Sequence, residues 1–207
     1  MGGVETLLLW RRFELGLRTR LYTSAAVYRA MKERRFPGFE ESFSRDLKEI
    51  RRDTPEDYVE FHELAEDSET VWTSEVGVEI RHNWHPTPTL GLKFRIGGFL
   101  IGIGGDTCFR IPLLDALLRE GRISESRHRK LAGDWLWNCD LIYHEAGRKA
   151  PGHTFEEDLL ALPAEVRRKI RLIHLSDDFG PGRLVPAQEG ERVVINEMGL
   201  AIRAGRP

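Results

Sequence analysis

Four runs of alternating apolar residues most constrain what this chain can fold into, at residues 58–64, 76–84, 90–96 and 99–103. A period of two sets one side of each run against a core, which is the signature of a half-buried strand. Gly97-Gly98 separates the last two runs and predicts a hairpin turn. Beyond residue 103 the pattern changes. Residues 112–120 and 124–135 read as helices, with Ser124 in capping position, and 139–143 is a short apolar strand. Residues 155–162 and 163–169 are helical, 171–175 is another buried strand, and a last strand pair is expected over 184–186 and 192–195. Strands with helices between them predict an α/β sandwich, with ligands clustering at strand ends.

Ahead of residue 58, Val4, Leu7, Leu8, Phe13 and Leu15 fall at near-helical spacing among charges. Residues 18–22 read as a short strand, and Ser24 caps a second helix that runs to about Arg34. Phe36-Pro37-Gly38-Phe39 ends it, and the charged stretch to about Pro55 is expected to be short helix and loop. The 207 residues suit a single domain over 1–207, and 41% hydrophobic with 31% charged residues excludes a disordered chain. No apolar run approaches the roughly 20 residues that cross a bilayer. Leu7-Leu8-Leu9-Trp10 is short, follows no charged region and runs into Arg11 and Arg12, unlike a secretory signal. The cytoplasm is therefore the expected compartment. Cys108 and Cys139 lack framework spacing and are expected to be free, buried thiols. A net charge of −2 gives no global attraction to nucleic acid. Arg119, Arg122, Arg127, Arg129 and Lys130 crowd one segment, as a solvated helix face or a phosphate-steering patch.

A series of polar residues stands at the ends of these apolar runs: His85, Gly105-Asp106-Thr107, His144-Glu145-Ala146, His153-Thr154 and His174. A strand fixes the backbone while the side chain at its end reaches a shared cleft. Pro86 keeps His85 out of helical conformation and helps to end its strand; His82, three residues earlier, is second choice. The glycines before Asp106 allow a sharp turn and close approach to a ligand. Asp106 with Thr107 could equally cap the helix that follows. His174, flanked by Leu172, Ile173 and Leu175, is expected in a buried strand, where it needs a metal or a hydrogen-bond partner. Asp177 and Asp178 read as loop groups. The segment Gly147-Arg148-Lys149-Ala150-Pro151-Gly152 could return His153 to Glu145, whose carboxylate would orient the imidazole for proton transfer. The bland alternative leaves Glu145 exposed and uses His153 and Thr154 to cap the next helix.

The order of these motifs resembles the metallo-β-lactamase fold hydrolases, and most closely their ribonuclease Z-like phosphodiesterase branch. The resemblance implies an αββα sandwich in which His85, Asp106 and His174 are metal ligands and Glu145 with His153 supports proton transfer at the scissile phosphate. It also implies two divalent ions, zinc first and manganese or iron as alternatives. The substrate would be a phosphodiester, in RNA or a cyclic nucleotide. The family's His-x-His-x-Asp-His motif is absent, and Gly2-Gly3-Val4-Glu5 resembles the segment that follows it in relatives. The expectation is thus an N-terminally truncated fold, a chain impaired by itself, and a homo-oligomer that covers exposed sheet edge. Alternatives in the same frame are a non-catalytic interaction protein, or a hydrolase of lactones, thioesters or β-lactams.

Overall fold

The computed structural model describes residues 2–34, 36, 41–43, 48, 50–147, 152–175, 182–196 and 199–203. They belong to two compact units, Met1–Glu66 and Asp67–Pro207.

The first unit runs α1 (Gly2–Leu15), β1 (Thr19–Thr23), α2 (Ala25–Arg34), β2 (Glu41–Phe43), β3 (Ile50–Arg52), α3 (Pro55–Tyr58) and β4 (Val59–Glu63). Leu8, Phe36, Tyr58 and Val59 form its core, and the Tyr58 hydroxyl donates to Asp53 at 2.8 Å. β1 and β4 pair in parallel, Thr19 opposite Val59. Ser24 caps α2 as its position predicts, accepting the Val27 N–H at 3.3 Å. Within the charged stretch, where short helix and loop were expected, β2 and β3 instead pair as an antiparallel ribbon. Strands of three residues are too short to register a period of two. Residues 37–39 of the expected break lie outside the described residues.

The second unit continues with β5 (Glu69–Val71), β6 (Val76–His82), β7 (Leu90–Ile96), β8 (Phe99–Ile103), α4 (Ile111–Arg119), α5 (Glu125–Ala132) and β9 (Leu141–Glu145). It ends with α6 (Glu156–Leu160), α7 (Ala164–Arg167), β10 (Ile170–Ile173), β11 (Val185–Pro186), β12 (Arg192–Asn196) and β13 (Gly199–Arg203). Seven strands make one mixed sheet in the order β11-β10-β9-β8-β7-β6-β5. β5 to β8 run antiparallel, and β8 to β11 run parallel. The parallel half needs crossovers, which α4 with α5 and α6 with α7 supply. β9 is buried at four of its five positions, as a strand covered on both faces must be. Ile142, Ile170, Leu172 and Leu159 pack around it with Phe109, Leu136 and Trp137. The α/β class is what the alternation of runs predicts.

Several boundaries differ from expectation. β11 pairs with β10 in parallel and β12 with β13 in a separate antiparallel ribbon, so 184–186 and 192–195 are not partners. Those runs carry pattern enough for strands, but pairing is decided by what the sheet leaves open. β6 stops at His82, because the Asn83 N–H turns to the Thr89 carbonyl at 3.1 Å. α5 stops at Ala132, with Gly133 extended. β9 runs two residues past 143 and takes in His144 and Glu145.

β6 and β8 are both antiparallel to β7 and so point the same way, and β9 and β10 are parallel to β8. The carboxyl ends of all four strands therefore lie on one edge of the sheet, where open α/β sheets bind ligands.

Candidate metal centre

Each polar motif follows one of these four strand ends. After β8, the chain turns at Gly104 and Gly105. Gly105 has φ +62°, and a Cβ there would lie 2.3 Å from the Leu90 carbonyl oxygen. At Gly104 a Cβ would sit 2.8 Å from the His144 ring. Only glycine fits either place. The turn is then tied down through backbone oxygens. Asn83 Nδ2 donates to the Gly104 carbonyl at 2.6 Å and to that of Asp106 at 3.2 Å, and Thr89 Oγ1 donates to the Asp106 carbonyl at 2.7 Å. Asp106 thus has its main chain held while its carboxylate faces outward, about 40% exposed. Neither Asp106 nor Thr107 caps the next helix. α4 begins after Arg110.

Glu145 ends β9 with its carboxylate 1% exposed. Oε1 accepts the Thr107 N–H at 2.7 Å, and Oε2 accepts Nδ1–H of His153 at 2.5 Å. A buried carboxylate requires such partners, and here they are a backbone amide and an imidazole. The exposed alternative for Glu145 does not hold. Thr154, fully buried, locks the two loops together: its hydroxyl accepts from Phe109 N–H and donates to the Thr107 carbonyl, both at 2.9 Å. Residues 148–151 of the intervening loop lie outside the described residues. His144 points inward, its Nδ1–H donating to the Glu145 carbonyl at 2.7 Å and its ring stacked on Trp137. Burial pushes its pKa down, against the Glu145 hydrogen bond and charge, and keeps the ring neutral.

His174 stands one residue past β10, not inside a buried strand as the apolar flanks suggested. Its φ is +52°, uncommon for a residue with a Cβ, and its side chain is 58% exposed. Such backbone strain persists where the surroundings impose it and is frequent at functional sites. The twist brings Nδ1 to 2.9 Å from Asp106 Oδ1 and 3.5 Å from Glu145 Oε2. Ligand atoms of Glu145, His153 and His174 all lie within 4.8 Å of one another, a grouping that could hold a metal ion. Asp177 and Asp178 fall outside the described residues.

His85 lies three residues beyond β6, in the loop to β7. Around its Nδ1 are Thr87 Oγ1 at 3.0 Å and the Thr87 main-chain N and O at 3.3 Å, which leaves Nε2 for any other partner. Its ring centroid is 5.4 Å from that of His153, which in turn is 5.7 Å from His174. The structure therefore brings Asp106, Glu145, His153 and His174 into contact and sets His85 beside them. Arg127 holds the root of the His85 loop, donating to the carbonyls of His82 and Asn83 at 3.0 and 3.2 Å. Lys130 pairs with Asp67. Arg122 pairs with Glu120 at 3.8 Å, so three of the five clustered basic residues are engaged within the unit.

Asn83 and Thr89 were missed from the sequence, and Thr154 was singled out beside His153 without the role it has. Each acts through a hydrogen bond to main chain far away along the chain, and nothing in spacing or residue type marks that role. Both cysteines are free and buried, as expected. No described helix is long and apolar enough to cross a membrane.

Comparison with known proteins adds the following. The family described as Anti-Pycsar protein Apyc1 matches residues 1–198. The cAMP/cGMP-dependent 3′,5′-cAMP/cGMP phosphodiesterase B of Dictyostelium discoideum is 33% identical over 113 residues, 54% of this chain and 10% of that protein. The cGMP-dependent 3′,5′-cGMP phosphodiesterase A of the same organism is 33% identical over 107 residues, 51% of this chain and 12% of that one. The chain thus spans about a tenth of the length of these curated relatives. Among solved structures, the metallo-β-lactamase fold protein YhfI from Bacillus subtilis is similar over 84% of this chain and 59% of its own, with 10% identity and a TM-score of 0.48. Zn2+-bound PqqB from Methylobacterium extorquens is similar over 81% and 54%, at 14% identity and TM-score 0.45. Human tRNase Z, short form, is similar over 82% and 66%, at 16% and 0.43.

Proposed function

Because the chain belongs to the Anti-Pycsar protein Apyc1 family, we propose that it is a metal-dependent phosphodiesterase whose substrate is a nucleotide phosphodiester. A cyclic nucleotide is favoured over RNA. The observation that carries this is the pairing of Glu145 with His153 at 2.5 Å beside the exposed pair of Asp106 and His174. The names of the curated relatives, both phosphodiesterases of cyclic nucleotides, support the substrate.

The two pairs suit different tasks. Glu145 already accepts from Thr107 through Oε1 and from His153 through Oε2, so both of its oxygens are engaged by groups it orients. With Nδ1–H donated to Glu145, His153 has Nε2 free to hand a proton to a leaving oxygen, and the carboxylate stabilises the imidazolium. Asp106 and His174, both open to solvent, fit a metal. Two donors held about 2.0–2.1 Å from a tetrahedral ion lie about 3.3 Å apart, and the observed 2.9 Å is a hydrogen bond that a few tenths of an ångström would convert. His85, through Nε2, is the third donor. When bound, one or two divalent ions, zinc ahead of manganese or iron, would polarise the phosphate and lower the pKa of water. Three donors would suffice for one catalytic zinc with an open position and fall short of two such sites. The match over 1–198 spans both compact units and supports a single domain over 1–207 of metallo-β-lactamase type. A homo-oligomer in the cytoplasm completes the proposal.

The test is hydrolysis of 3′,5′-cyclic AMP with added Zn2+ or Mn2+. The expected result is turnover that EDTA abolishes and that His153→Ala lowers by about 100-fold or more. Asp106→Ala should remove it. Undiminished rates in EDTA, or in both variants, would overturn the assignment. Absence of turnover with every metal would favour the non-catalytic alternative.

A further inference from the structure

The loops that carry His85 and His153 do more than present histidines. Between them and α4 lies a cavity of about 310 Å3 lined by Trp84, His85, Pro86, Cys108, Leu113 and Gly152. Its wall is apolar except at His85, the residue it shares with the candidate centre. The volume falls at the lower end of pockets that hold small ligands, about 300–1,000 Å3. A second cavity on this edge, bordered by Gly104, Trp137 and His144, has about 50 Å3, room for a few waters but not for a ring.

We propose that the cavity between Trp84, Pro86 and Leu113 seats the base of the nucleotide whose phosphate lies at Asp106 and His174. The inference rests on the phosphodiesterase reading and adds where substrate is discriminated. The chemistry fits a flat heteroaromatic ring. Trp84 packs against a cluster of Leu114 and Leu117 from α4 with Ile123 beyond it and so is a rigid aromatic surface, and base stacking on such a surface is tolerant of base identity. Leu113 and Pro86 supply apolar walls on other sides. The entry is held in shape, since the loop root is fixed by Arg127 and Gly152 lies against Pro86 and His85, where an added Cβ would make ordinary contacts of 3.5 and 3.9 Å. With the His85 and His153 rings 5.4 Å apart, the cavity opens beside the group assigned to the leaving oxygen, leaving the sugar to bridge ring and phosphate.

Equilibrium binding tests this without turnover. Adenosine 5′-monophosphate and ribose 5-phosphate share phosphate and sugar and differ by the base. Calorimetry in Mn2+ should give AMP the tighter dissociation constant by about tenfold or more. Leu113→Trp, which fills the cavity, should bring the two ligands to within about twofold. Equal binding in the wild type overturns the base seat, as does an AMP advantage that survives Leu113→Trp in a folded variant. Should that variant not fold, AMP should quench tryptophan emission in the wild type and not in Trp84→Phe. Quenching unchanged in Trp84→Phe overturns the assignment. A chain that cleaves a base-free phosphodiester yet ignores the base refutes this inference alone. One that prefers AMP and cleaves no diester refutes the phosphodiesterase reading and leaves a nucleotide-binding protein.

Discussion

Thr154 is the smallest change with the largest consequence for the centre. Its hydroxyl is the one side-chain group joining the Phe109 N–H to the Thr107 carbonyl, and the residue is fully buried. Thr154→Val keeps the shape and removes both bonds. Each orphaned main-chain group costs about 1–3 kcal/mol, so the pair costs about 2–6 kcal/mol. For a domain of this size about 2–4 °C is lost per kcal/mol, which makes the expected drop in Tm about 4–24 °C. Thr154→Ser retains both bonds and loses one methyl group, worth about 1 kcal/mol, and should fall only about 2–4 °C. Calorimetric melts of the three proteins should rank wild type, Ser, Val. Because the same hydroxyl positions the main chain of Thr107, whose N–H holds Glu145, the valine variant should also lose turnover beyond its loss of stability. A valine variant melting within about 2 °C of wild type, or above the serine variant, would refute the claim that this hydroxyl bridges the two loops.

Gly105→Ala should cost about 2–4 kcal/mol in urea unfolding, since a Cβ there meets the Leu90 oxygen at 2.3 Å on a backbone of φ +62°; an unchanged midpoint would mean the turn is drawn wrongly. Burial raises the Asp67 pKa, but hydrogen bonds from Lys130 and Arg81 outweigh it and leave the carboxyl below its ordinary value. The folded pKa lies under the unfolded value of about 3.9, so this pairing stabilises fully above that pH and is lost as pH falls through the folded pKa. Wild type should therefore exceed Asp67→Asn in Tm near neutrality and converge with it in acid, and a gap that widens in acid would contradict the sign. Burial also pushes the Cys139 thiol up to about 11 and raises that of Cys108. At about pH 8 Cys139, fully buried, should not react with a disulfide reagent until the chain unfolds, whereas Cys108 lines the cavity; rapid labelling of Cys139 in native Cys108→Ser protein would exclude the packing described.

Much of the candidate site was legible. Gly105-Asp106-Thr107 announces a turn because glycine at positive φ has few other uses, and the loop from Gly147 to Gly152 has the length and glycines to fold His153 back onto Glu145. His174 was legible as a candidate but not in its setting. Its apolar neighbours suggest burial, yet β10 ends one residue earlier and the ring turns into solvent beside Asp106. The short strands β2, β3, β5 and β13 escaped notice, since two or three alternations do not rise above composition.

The sequence by itself determined which residues could face a core, where the chain must turn, and the order in which histidines and carboxylates follow apolar runs. Those are local properties, set by side-chain period and by the backbone freedom of glycine and proline. Only the tertiary structure decided that β11 joins β10 while β12 and β13 pair with each other, because strand pairing depends on which edge is open once the sheet assembles. It alone decided that Asn83 and Thr89 hold the Asp106 turn, that Thr154 ties Thr107 to Phe109, and that the Glu145 carboxylate is buried. Those contacts join residues up to 47 positions apart, and a hydrogen bond between such residues leaves no mark on either neighbourhood of the sequence.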